Sequence, residues 1–240
     1  MSSLWFRVAV VSGTAAAVGA VVVPVLAMGS STLGAEAYSH VTRSSALMAY
    51  MLLWVTMLAG LSVTGKVGRK WPGMASSFGV HRYTSLLGLG FAVVHALALL
   101  GDPYMGYTPV GLLVPFMAGG YQPHWLGLGQ VAIYLLAAVS LSFYVRDRLG
   151  VRAWRLVHSL SFALFLMALM HGLHSGSDSG TWWASGLYWM SGASVLLGSA
   201  YRMLSVRTGR RKALVAPTGL VVAGGRSQAR PASRTLQTGS

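Results

Sequence analysis

Six times between Leu4 and Leu204 the chain runs for about twenty residues with few or no charges, the length at which a helix crosses a bilayer core. The runs are Leu4–Met28, Ser44–Thr64, Phe78–Leu100, His124–Val145, Val151–Leu173 and Trp182–Leu204. In hydrocarbon a backbone must satisfy its own hydrogen bonds, which leaves helices and closed barrels as the only spanning forms. At a rise of ~1.5 Å per residue each run covers the ~30 Å core as a helix, with a little to spare for tilt. Charged residues make up only 9% of the chain, too few to solvate the surface of a water-soluble protein of this size. Glycine, alanine and serine recur along the runs, and such small residues let membrane helices approach closely. The expected fold is an all-α integral membrane protein, a bundle of six transmembrane helices.

The first run carries a second reading. Arg7 followed by Val8–Leu26 has the outline of a signal peptide. The run is long for that role and no small-x-small cleavage site follows, so a retained helix with a kink at Pro24 is expected. Residues 1–43 are then the first helix and an outer loop, 44–205 the core, and 206–240 a basic tail with little to bury and no fixed structure.

Lysine and arginine set the orientation. Arg7, then Lys66, Arg69, Lys70 and Arg82, then Arg146, Arg148, Arg152 and Arg155, then the C-terminal group from Arg202 onward fall on one side. Only Arg43 falls on the other, together with Glu36, Asp102 and Asp178. The positive-inside rule puts both termini in the cytoplasm of a multi-pass cell-membrane protein. The net charge of +14 is a topology signal, because the cations are spread over separate loop ends and make no nucleic-acid patch. The outer connection Gly101–Pro123 has an apolar centre, Val110–Met117, expected to lie on the bilayer surface or on the top of the bundle.

There are no cysteines, which excludes disulfides, thiolate-ligated haem, cysteine-held iron–sulfur clusters and covalent c-type haem. Gly88-Leu89-Gly90 and Gly127-Leu128-Gly129 lie inside apolar runs with no strand before them, so neither is a nucleotide-binding loop.

Four histidines lie within the third and fifth runs: His81 and His95 fourteen residues apart, His158 and His171 thirteen apart. An ionisable side chain in hydrocarbon is costly and marks a functional site. Each pair spans roughly 20 Å of helix axis. By the orientation above both helices run from inside to outside, so each level of the membrane receives one histidine from each helix. Paired imidazoles at two levels are what axial ligation of two stacked b-type haems requires. Arg82 and Arg155 sit at the inner level, where cations pair with propionates. The spacings differ: at ~100° per residue, fourteen residues leave His95 roughly 40° from His81, whereas thirteen leave His171 roughly 140° from His158. The fifth helix is therefore expected to bend, carry a bulge, or place its two histidines on different sides. His174, one turn beyond His171, is the rival outer ligand. The competing account is four histidines satisfied by hydrogen bonds in a polar bundle, but packing gives no reason for four at matched depth.

These residues resemble the ferric reductase-like transmembrane family, which includes NADPH oxidases, ferric-chelate reductases and the haem subunit of the bacterial periplasmic methionine-sulfoxide reductase system. The 14 and 13 spacings, His81-Arg82 before the Gly88-Leu89-Gly90 helix, and Trp154-Arg155-Leu156-Val157-His158 carry the resemblance, over about Ser44 to Arg202. The segment His171-Gly172-Leu173-His174-Ser175-Gly176-Ser177-Asp178-Ser179 is similar to that of stand-alone actinobacterial members. The resemblance implies haem ligand pairs His81 with His158 and His95 with His171. It departs in lacking a flavin–nicotinamide domain after the bundle, so FAD or FMN would come only with a partner.

The function expected is transmembrane electron transfer through two haems, from a cytoplasmic flavin reductase or membrane quinol to an outer acceptor such as a ferric chelate. This makes the chain a ferric reductase-like oxidoreductase component that needs a separate reductase. The alternative is a haem subunit feeding an external redox protein, for instance a sulfoxide reductase or flavoprotein. A haem-free transporter or scaffold is the remote third, since no acid lies within the apolar runs. A secondary and less favoured reading places Fe(III) at the outer rim among Glu36, His40, Asp102, His124, His174 and Asp178, although polar loop residues in water need no such explanation. Trp182, Trp183 and Tyr188 read as interfacial aromatics.

Overall fold

The computed structural model describes residues 32–64, 74–117 and 120–215. Among these every regular element is a helix: α1 (Thr32–Thr64), α2 (Met74–Gly101), α3 (Pro109–Leu113), α4 (Pro123–Leu149), α5 (Val151–Ser159), α6 (Ser161–Ser175) and α7 (Trp182–Val215). Four stretches are long and apolar enough to cross a membrane: Glu36–Ser62, Ser77–Gly101, Pro123–Leu149, and α5 with α6 over Val151–Ser175. The chain divides into units Met1–Met203 and Leu204–Ser240, and the bundle is the first of them. The expected first helix, Leu4–Met28, lies outside the described residues.

Two boundaries and one span differ from the sequence reading. Helix α1 begins at Thr32, not Ser44, so Glu36, His40 and Arg43 lie on a helix and not in a loop. At the other end α7 runs to Val215, ten residues into the stretch expected to lack structure. Arg207, Arg210, Arg211, Lys212, Ala213 and Leu214 are good helix formers, which suits a helix carried on past the apolar run. Helix α7 is also not among the four apolar stretches, because tryptophan, tyrosine, serine and glycine dilute its hydrocarbon character.

Polar pairs hold the helices in register. Thr42 and Thr56 of α1 face His95 and His81 of α2 in reverse order, so these helices are antiparallel. Tyr50 and Trp54 of α1 bond Ser191 and Ser194 of α7, at 2.5 and 2.8 Å, in the same order, so those two are parallel. Thr56 donates to Thr84 at 2.7 Å, and Ser85 meets Ser140 of α4 at 2.7 Å. Between them lies a core of Tyr50, Leu53, Met57, Leu136, Leu164, Phe165, Leu169 and Val195. Tyr188 belongs to this interior, edge-on to Tyr50 with ring centres 5.0 Å apart, and not to an aromatic belt. Trp182, by contrast, is 87% exposed. Leu156, Leu166, Leu196 and Leu197 also face outward, as lipid-facing side chains do.

The outer connection folds back on α4. Thr108 caps α3 by accepting from the Gly111 amide at 3.0 Å. The buried Gln130 then clamps the strap: its amide donates to Gly111 O and Leu112 O, at 2.6 and 2.9 Å, and its carbonyl accepts from Phe116 N at 3.1 Å. Tyr134 donates to Leu113 O. Phe116 holds a left-handed φ of 64°, a conformation that costs a non-glycine residue about 1–3 kcal/mol. Gln130→Leu should therefore release the strap, destabilising the protein by about 2–4 kcal/mol for three lost bonds and the buried groups left bare. Limited proteolysis within 103–117, set against thermal unfolding of the whole protein, measures it. Unchanged protection would show that the strap is held by its apolar contacts.

Candidate functional site

Helix α2 carries His81 and His95, and it faces His158 of α5 and His171 of α6, which follow in the same order along the chain. The histidines meet in pairs: the rings of His81 and His158 are 5.8 Å apart between centres and inclined at 74°, those of His95 and His171 6.2 Å apart at 65°. Both pairs join residues some eighty positions apart in sequence, each N-terminal histidine meeting the other N-terminal one. No protein family, curated protein or solved structure matches the chain. The chemistry is therefore read from its own residues.

The ring nitrogens carry the second observation. His81 Nδ1 donates to Thr56 O at 2.8 Å, His95 Nδ1 to Thr42 O at 3.0 Å and His171 Nδ1 to Trp125 O at 2.9 Å. A carbonyl only accepts, so in each ring the proton is on Nδ1 and the lone pair on Nε2. Metal-binding histidines are held in this way, with the other ring N–H given to a backbone carbonyl or carboxylate. His158 differs: among the described residues it has no such bond, and its ring stacks on Trp154 one turn earlier, 5.2 Å between centres and 22° between planes.

The unequal spacing is resolved at Leu160. There the helix breaks between α5 and α6, with Leu160 N donating to Val157 O at 3.1 Å, an i→i−3 bond. Winding at ~120° per residue through one such turn recovers part of the ~140° mismatch, and the break between α5 and α6 falls between His158 and His171. His171 and not His174 thereby faces His95. His174 lies exposed against Trp125, ring centres 3.8 Å apart, and does not join the pair.

A cavity of about 900 Å³ surrounds the His95–His171 pair, within the range of roughly 300–1,000 Å³ that holds cofactor-sized ligands. Its walls near the histidines are small residues, among them Ala46, Ala49, Ala92, Ala96, Ala132 and Ala168. Its lining also carries polar residues, His40, Arg43, Asp102, Tyr107, Ser177 and Asp178. Burial pushes the Tyr107 phenol above its ordinary pKa, so it stays neutral. Two buried hydroxyls on the lining, Thr42 Oγ1 and Ser175 Oγ, have no hydrogen-bond partner among the described residues, and neither has Trp154 Nε1 near the His81–His158 pair. An unmet polar group away from water costs about 1–3 kcal/mol, which a ligand can recover.

At the inner level Arg82 packs over the rings of Phe143 and Tyr144, 5.3 and 5.8 Å from their centres. Arg155 is exposed.

The less favoured rim reading of a ferric site gains no support. Among the described residues no three His, Cys, Asp or Glu side chains gather to hold a metal ion. The donors are engaged separately: Asp102 accepts from the Tyr104 amide at 3.0 Å, Asp178 lies 3.9 Å from Arg43, and His174 stacks on Trp125. What sequence reasoning missed is the backbone set, the carbonyls of Thr42, Thr56 and Trp125. No residue type announces a carbonyl; the only signal is the small residue four positions later.

Proposed function

We propose that the chain is a haem-binding membrane subunit for transmembrane electron transfer, in which His81 and His158 would hold one haem at the inner level and His95 and His171 a second at the outer. The carrying observation is the pairing itself. Metal–imidazole bonds of about 2 Å on either side, plus about 1.1 Å from each nitrogen to its ring centre, put paired ring centres about 6 Å apart. The distances of 5.8 and 6.2 Å fit. Two T-shaped ring contacts alone would also give such distances, but they give no reason for three Nδ1 protons to be turned away onto carbonyls. Two protein ligands suffice per site, because a macrocycle brings four nitrogens of its own.

The residues divide the remaining work. Thr42, Thr56 and Trp125 orient the imidazoles and raise their basicity. The alanine-lined cavity excludes water around the outer pair, while Thr42 Oγ1, Ser175 Oγ and Trp154 Nε1 offer hydrogen bonds to polar edges of the bound groups. Arg82 supplies a cation at the inner level. Bound haem supplies one-electron carriage at two depths of the membrane.

In this reading six helices span the cell membrane with both termini cytoplasmic. A cytoplasmic flavin reductase or quinol serves the inner level, and a ferric chelate or redox protein takes electrons at the outer mouth. A reduced-minus-oxidised spectrum with pyridine-haemochrome quantification on the detergent-solubilised chain tests it. About two b-type haems per chain are expected. No haem, after expression with haem supplied, overturns the proposal and leaves a polar helix bundle.

A further inference from the structure

Three imidazoles reach carbonyls that a helix ordinarily screens. The Cβ of residue i+4 leans toward the helix N-terminus, over the carbonyl of residue i, and stands between that oxygen and any neighbouring helix. Four residues after Thr56 comes Gly60, and four after Trp125 comes Gly129; after Thr42 it is Ala46, which keeps the smallest Cβ. A Cβ on Gly129 would lie 2.7 Å from both Cε1 and Nδ1 of His171. On Gly60 it would lie 3.2 Å from the same two atoms of His81. At Gly79 and Gly186, also within helices, a Cβ would meet nothing within 4 Å.

We propose that Gly60 and Gly129 are positioning residues, the gaps through which His81 and His171 give their Nδ1 protons to the carbonyls of Thr56 and Trp125. The proposal rests on the haem-ligand reading. The same device occurs on two different helices, once for the inner pair and once for the outer. It sets the tautomer and the ring plane of one ligand at each level. Interference with such an outer partner lowers metal affinity by about 10–100-fold.

The two gaps differ in tightness, which separates their effects. At 2.7 Å an added methyl cannot stay beside a ring held from its far side, so Gly129→Ala must push His171 off its carbonyl. At 3.2 Å the ring needs to give only a few tenths of an ångström, so Gly60→Ala should keep both haems and shift only the inner signal. The experiment loads the full-length protein with haem and records haem per chain, the low-spin resonance of each haem and the two midpoint potentials. His171→Ala and His81→Ala identify the outer and inner signals. Gly129→Ala is expected to lose or shift the outer signal alone, and Gly79→Ala and Gly186→Ala to match wild type. Wild-type signals in both Gly60→Ala and Gly129→Ala would overturn the proposal, as would equal shifts in the two control variants. If Gly129→Ala does not fold, Gly60→Ala decides alone. A wild-type chain that binds no haem overturns the haem reading itself, a result distinct from haem that binds and ignores the glycines.

Discussion

Replacing His171 with alanine is expected to cut bound haem from about two per chain to about one, while His174→Ala keeps both. The two residues are one helical turn apart and chemically equivalent, so only their surroundings separate them. The His171 ring stands 6.2 Å from His95 and gives its Nδ1 proton to Trp125 O. The His174 ring lies on the Trp125 indole at 3.8 Å and is exposed. His95→Ala should match His171→Ala, since one imidazole leaves the outer site with a single protein ligand. His81→Ala and His158→Ala should instead remove the inner haem and spare the outer resonance. Haemochrome quantification with low-temperature spectra on the five variants decides it. Haem loss in His174→Ala with none in His171→Ala would sink the assignment.

Filling the outer cavity should act with opposite sign on two observables. Ala92 and Ala168 both line it, and each lies three residues before its histidine, His95 and His171 respectively. Ala168→Phe or Ala92→Phe places a ring where a flat macrocycle would lie. The outer haem should be lost, leaving about one per chain, with the inner spectrum unchanged. In protein grown without haem the same variants should gain stability, by about 0.5–2 kcal/mol, because packed atoms replace empty space. A variant that merely disrupts folding would lower both quantities. Retention of two haems in Ala168→Phe would show that the cavity is not the outer site.

The parts legible in the sequence are those that depend on solvent and local order. Apolar length marks α1, α2, α4 and the α5–α6 stretch, because hydrocarbon imposes the same demand on every residue of a span. The four histidines stand out because imidazole in lipid is costly. Less legible were the ends of helices: α1 starts at Thr32 and α7 continues to Val215, since helix formers outside the apolar run extend a helix at no penalty. At the oxygen-rich rim the less favoured ferric reading finds no cluster among the described residues, since composition counts donors without saying which of them are already engaged.

Sequence by itself determined that this chain is helical and suited to lipid, and how far apart the histidines lie along each helix, since hydropathy and a fixed rise per residue are local properties. Tertiary structure decided which imidazole meets which, that His171 and not His174 faces His95, and that Leu160 absorbs part of the odd spacing. It also decided that the carbonyls of Thr42, Thr56 and Trp125 hold three of the rings. Angles around a helix axis become contacts only when a second helix stands at a given rotation and separation. A mid-helix backbone oxygen is easier for a neighbouring helix to reach where the residue four positions on is small.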